Sequence, residues 1–291
     1  MGEKNKFREK IISLLHEKDD LPPLPDILLK LEKRISDPDS EIEEIAGLIE
    51  TEPVLSGRLI KLANSVLFAG GREEAQDLPS TVLRLGLKMV LDLAYTLHLP
   101  KMFNQARSFN QILFWRHSLT VACLTQILAE RVELSREERE ESYVCGLMHD
   151  LGIVVFDYLI PVEYKEFIQG IGPDAISLAD LEKEKFGTAH PELGAAFIRK
   201  KWSLSSVVVR GVSGHIFKLS MNGSGIGIAQ VVGMADQIAN KFEVIHGILP
   251  GKERPLDDKI FEILKMSQDE LEEIMQNTLE GVNNAESLLN G

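Results

Sequence analysis

The chain has 291 residues, enough to bury a full core as one large domain or two modest ones. Its 44% apolar and 26% charged residues are ordinary for a soluble globular protein. A formal net charge of −13 argues against non-specific nucleic-acid binding, where Lys and Arg neutralise phosphates. Cys123 and Cys145 are too few for a disulfide framework and point to a reducing, cytoplasmic compartment.

In chain order, Met1–Lys6 is charged and does not open a secretory signal. Lys6 stands where a myristoylation motif needs Ser or Thr. Residues 1–20 read as a helical extension. No apolar run reaches the roughly 18 residues that suggest a membrane span, so no membrane partner is expected. Residues 21–105 form a helical block whose lone histidine is His98, with apolar residues at helical spacing in Ile42, Ile45, Ala46 and Ile49. The polar stretch Asn104–Ser108 leads into a second block, 106–245, where Leu119, Ala122, Cys123, Gln126 and Ile127 keep the same period. Asn222–Gly227 reads as a flexible loop bordering that block, and Ile248–Pro255 as a loop opening an acidic helical segment, 246–291.

Helix starts are marked by S-x-x-E runs at Ser40, Ser135 and Ser267, where side chains satisfy the free amides of a first turn. Pro25, Pro53, Pro79, Pro161 and Pro191 are each compatible with a first helical turn. No strand alternation or internal repeat is present. The expected fold is all-α, and the two blocks are compatible with separate domains or one helical body.

The second block carries the chemistry. In Gly146-Leu147-Met148-His149-Asp150-Leu151-Gly152 an imidazole and a carboxylate are adjacent, and Asp150 could bridge two ions through its two oxygens. His117 precedes the pair, and His190, His215 and Asp236 follow it. Four of the seven histidines fall in this set. Mixed nitrogen and oxygen donors suit iron, manganese, zinc or nickel better than magnesium or calcium. Cys145 reads as a small buried thiol, Asn64 as a buried polar anchor, and His16, His98 and His246 as packed or hydrogen-bonded residues.

These residues resemble the HDOD family, a bacterial relative of the HD superfamily of metal-dependent phosphohydrolases. The resemblance runs over residues 21–245. It rests on Leu21-Pro22-Pro23-Leu24-Pro25, Ile49–Ser56, Leu62-Ala63-Asn64-Ser65 and Leu85-Gly86 in the first block. In the second it rests on Trp115-Arg116-His117-Ser118, His149-Asp150-Leu151-Gly152 and Met234-Ala235-Asp236-Gln237. It implies a multi-helical HD-like domain with an N-terminal helical block packed on it. The minimal HD set would be His117, His149, Asp150 and Asp236. His190 and His215 match further histidines of the HD-GYP relatives, two-metal enzymes that hydrolyse cyclic di-GMP. Two elements of those relatives are absent here: Ile153 replaces a Lys, and there is no Gly-Tyr-Pro element. Gly214-His215-Ile216 stands where they have a His-His pair.

The resemblance implies one or two transition-metal ions, iron or manganese favoured, with zinc or nickel as alternatives. Asp150 is the residue on which catalysis would centre. Such ions make water a better nucleophile and act as Lewis acids on a phosphoryl oxygen, and their occupancy should fall as histidines protonate. Two functions follow. One is a signalling output or scaffold module with protein partners. The other is a phosphohydrolase acting on a nucleotide or cyclic nucleotide.

Overall fold

The computed structural model describes residues 3–17, 21–64, 69, 73–103, 108–216, 225–249 and 256–289. Most of the polar stretch 104–108, residues 222–224 of the glycine-containing loop and residues 250–255 of the later loop lie outside the described residues, as does Ser65. The fold is all-α, and no strand occurs among the described residues. Two compact units are present: residues 1–23 with 103–272, and residues 24–102 with 273–291.

The capping signals are only partly used. Ser135 and Glu138 form a reciprocal capping box on helix Arg136–Glu140, and Ser267 Oγ accepts from Glu270 N at 3.2 Å. Ser40 makes no cap: helix Ile42–Glu50 starts one residue later than that signal implies, with Glu41 at its N-cap position. Pro53, Pro79, Pro161 and Pro191 do sit in first turns, whereas Pro25 is the residue before helix Asp26–Ile35.

The second unit packs helices Asp26–Ile35, Ile42–Glu50, Pro53–Ala63, Leu78–Leu85 and Leu87–Met102 around Leu31, Ile45, Ile49, Leu59, Val82 and Val90. Asn64 is an anchor as expected, though half-buried rather than buried. Its amide exchanges two 2.8 Å hydrogen bonds with the backbone of Ala75 and accepts a third from Arg84 at 2.9 Å.

The first unit is built on helix Gln111–Ala129. This is the one described helix long and apolar enough by composition to cross a membrane, and 72% of it is buried inside the protein. Helices Ser142–Met148 and Ile228–Lys241 pack on it. Gly146 makes the first contact tight, since a Cβ there would lie 2.6 Å from Thr125 Oγ1 and 2.7 Å from Ala122 Cα. Leu151–Leu159 packs in turn on His190–Phe197, and Ser206–Gly214 on Ser142–Met148. Gly152 permits the first of these crossings, because a Cβ at that position would stand 1.9 Å from the His190 carbonyl oxygen. Both contacts exclude any larger residue without backbone movement.

Candidate metal centre

His149 and Asp150 occupy a two-residue turn between helices Ser142–Met148 and Leu151–Leu159. An Asp at a helix N-cap normally accepts from the first-turn amides. Asp150 makes no such bond, and its carboxylate faces the histidines. His117 comes from the middle of helix Gln111–Ala129, His190 opens helix His190–Phe197, His215 follows helix Ser206–Gly214, and Asp236 lies on helix Ile228–Lys241. The fold brings all six candidate residues together.

Asp150 is shared between two groups. Its Oδ2 lies 3.1 Å from His149 Nε2 and 3.7 Å from His117 Nε2. Its Oδ1 lies 3.3 Å from His190 Nε2 and 3.5 Å from His215 Nε2. His117 Nε2 also stands 3.2 Å from Asp236 Oδ1 and 3.3 Å from His149 Nε2. Two sets of donor atoms could each hold an ion: His117, His149 and Asp150, and Asp150, His190 and His215. Donors about 2.1 Å from one ion, at octahedral to tetrahedral angles, stand roughly 3.0–3.4 Å from one another. The shorter separations here match that span.

The tautomers agree. Every one of the four Nδ1 atoms faces an acceptor: Val244 O at 2.7 Å from His117, Gly146 O at 2.8 Å from His149, Glu182 Oε2 at 2.7 Å from His190, and Val212 O at 2.8 Å from His215. A ring that donates from Nδ1 leaves the Nε2 lone pair free to coordinate. All four Nε2 atoms face the Asp150 and Asp236 carboxylates, where each can coordinate once it is unprotonated. These residues therefore fit a transition metal, one ion or two.

In the metal-free site, protons compete with a metal for these nitrogens. Burial would depress His149, but Asp150 and Asp236 outweigh it and lift the imidazole to about 9. Burial also opposes charge on His190, which Glu182 and Asp150 nevertheless raise. His215, where burial dominates, falls below its usual value. Burial works against ionised Asp150 and Asp236 as well, yet the surrounding imidazoles hold Asp150 well below the carboxylate range and Asp236 at about 2. The imidazoles supply the positive charge that keeps these two buried carboxylates ionised, and a metal ion would take the place of the imidazole protons.

Three neighbours were not legible as site residues in the sequence. Glu182, fully buried, accepts from both the backbone N and the ring Nδ1 of His190, and Tyr164 donates to its other oxygen at 2.6 Å. Asn240 donates to Asp236 Oδ1 at 2.7 Å, and its i+4 helical spacing is a signal that could have found it. His246 is packed and hydrogen-bonded as expected, but it also lines the cavity beside the site. That cavity, about 520 Å³, is walled by Asp150, His190, His215 and Asp236, with Ile176 and Ile216 among its apolar residues. His117 and His149 are fully buried. Cys145 is the buried thiol anticipated, with Sγ 3.8 Å from Val207 O.

The chain matches the HDOD domain over residues 21–216. It belongs to the HDOD family. Its fold resembles that of an HDOD domain protein of unknown function from Geobacter sulfurreducens, with TM-score 0.75, 24% identity and 98% of each chain covered. A proposed phosphohydrolase from Shewanella amazonensis SB2B gives 0.72 at 24% identity, covering 95% of this chain and 98% of that one. A proposed metal-dependent phosphohydrolase from the same organism gives 0.61 at 18%, covering 99% and 100%. At these identities the likeness establishes the fold. An uncharacterised protein of Treponema pallidum is 28% identical over 197 residues, which are 68% of this HDOD chain but 38% of the relative. The chain thus spans well under half the length of that protein.

Proposed function

We propose that this HDOD protein is a cytoplasmic signal-transduction protein whose HD-type centre holds one or two transition-metal ions and hydrolyses a phosphate ester, with nucleotides as the substrate class. The observation that carries this reading is the division of Asp150 between two imidazole pairs at the wall of an open cavity. His117, His149, Asp150 and Asp236 would hold a first ion, and Asp150, His190 and His215 a second. When bound, such ions supply Lewis acidity to a phosphoryl oxygen and make water a stronger nucleophile near neutral pH.

The chain's own groups do the rest. Glu182 and the three backbone carbonyls fix the imidazole tautomers, and Asn240 orients the Asp236 carboxylate. The apolar side chains of Ile176 and Ile216 border the cavity and suit a planar, weakly hydrated moiety such as a base. The mixed nitrogen and oxygen shell suits iron, manganese, zinc or nickel, and the family resemblance favours iron or manganese among them.

A second reading, a non-catalytic output or scaffold module with protein partners, is favoured by one observation. Ile153, at the position of the Lys in the cyclic di-GMP hydrolases, is fully buried and supplies no charge to a substrate. The two readings separate in one experiment. Protein purified without a metal-affinity step is analysed for metal and then assayed, after iron or manganese loading, against a panel of nucleotides, cyclic nucleotides and p-nitrophenyl phosphate. Bound metal with turnover supports hydrolysis. Bound metal without turnover on any of them leaves the scaffold reading. A preparation well under one metal per chain, unrestored by loading at neutral pH, overturns the hydrolase reading and leaves the scaffold reading.

A further inference from the structure

His246 lies beyond the matched family segment and stands apart from the donor set by its tautomer. Its Nδ1 accepts from the backbone N of Ile248 at 3.2 Å. A backbone N–H can only donate, so Nδ1 carries no proton and the ring proton resides on Nε2. This is the reverse of His117, His149, His190 and His215, whose Nδ1 atoms all face acceptors. The ring is only 7% exposed and packs edge-to-face on His117, with centroids 5.5 Å apart. It lines the same cavity as Asp150, Asp236, His190 and His215. Among the described residues Nε2–H has no acceptor, and no carboxylate oxygen lies within ion-pair distance of it.

We infer that His246 is a substrate-binding donor, presenting a neutral Nε2–H to a phosphoryl oxygen held in the cavity. Ligation through Nε2 would require the proton to move to Nδ1, which would break the bond from Ile248 and set two N–H groups against each other. A neutral donor suits this position. It can hold an anionic oxygen without adding a cation that would compete with the ions for Asp150 and Asp236. The inference rests on the hydrolase reading for its ligand class, and inorganic phosphate serves as the probe.

Two substitutions separate the roles of the two ring nitrogens. In His246→Asn the side-chain oxygen can still accept from Ile248 N, but no donor reaches the cavity. In His246→Gln a donor reaches approximately the place of Nε2. Metal content is measured by elemental analysis, folding by thermal melting, and phosphate affinity of the metal-loaded protein by calorimetry. The expected result is wild-type metal content in both variants, phosphate affinity about tenfold or more weaker in His246→Asn, and affinity within about threefold of wild type in His246→Gln. Wild-type affinity in His246→Asn overturns the inference, as does loss of metal from a folded Asn variant, which would make His246 a ligand. An Asn variant that no longer folds overturns it too, since the ring would then be a core residue. Metal-loaded wild type that binds no phosphate sinks this inference and leaves the metal centre standing. A wild type that holds no metal sinks the hydrolase reading itself.

Discussion

Glu182 Oε2 lies 2.7 Å from the backbone N of His190 and 2.7 Å from its ring Nδ1, so one buried carboxylate oxygen fixes both the start of a helix and the aim of an imidazole. Its other oxygen is held by Tyr164, which stacks on Phe156 at 5.0 Å and 7°. The aromatic core thereby sets the orientation of a candidate metal ligand. Removing Glu182 as Ala leaves three buried donors unpaired, at a cost of about 1–3 kcal/mol each. Metal affinity is expected to fall about 10- to 100-fold. Titration of the metal-free protein, followed by calorimetry, checks this; unchanged affinity would mean that His190 is not a ligand.

The ligand set divides by position. Asp150→Ala should abolish metal binding, because both donor groups use that carboxylate. His190→Ala and His215→Ala should each take a two-ion protein to about one metal per chain, while His117→Ala weakens the other position. Elemental analysis of the purified variants decides between two ions and one: unchanged content in both His190→Ala and His215→Ala would make them packing residues.

Gly152→Ala should be among the most damaging small substitutions. Its Cβ would stand 1.9 Å from the His190 carbonyl oxygen, and that obstacle is backbone on a packed helix. A loss of about 3 kcal/mol or more is expected, together with reduced metal content as His190 moves away from Asp150. Denaturant unfolding of wild type and variant measures the first, and a destabilisation below about 1 kcal/mol would contradict the close crossing.

Burial pushes the Cys123 thiol up to about 12. At pH 8 only about one molecule in ten thousand would carry the reactive thiolate there. Cys123 should therefore resist alkylation in the folded protein and react once the chain is unfolded. Mass spectrometry of iodoacetamide-treated protein, with and without denaturant, reads this directly. Rapid labelling in the native state would show that helix Gln111–Ala129 opens.

Cyclic di-GMP should be a poor substrate, since fully buried Ile153 replaces the Lys of the relatives that hydrolyse it. Chromatographic detection of linear product from metal-loaded protein is expected to give turnover well below about 1 per second. Ordinary enzymatic turnover would refute this.

The sequence by itself determined the all-helical class, the membership of His117, His149, Asp150, His190, His215 and Asp236 in one candidate set, and the capping at Ser135 and Ser267. Those features are carried by residue type and short-range spacing, which the chain displays without folding. The Ser40 signal failed locally, because the helix begins at Ile42 and leaves Ser40 without a cap bond. Only the tertiary structure decided that Asp150 divides its two oxygens between two imidazole pairs, that Glu182 aims His190, and that His246 holds the opposite tautomer. Each depends on atoms meeting across helices that are distant in the chain, and on which ring nitrogen finds an acceptor. Periodicity along a chain has no access to either.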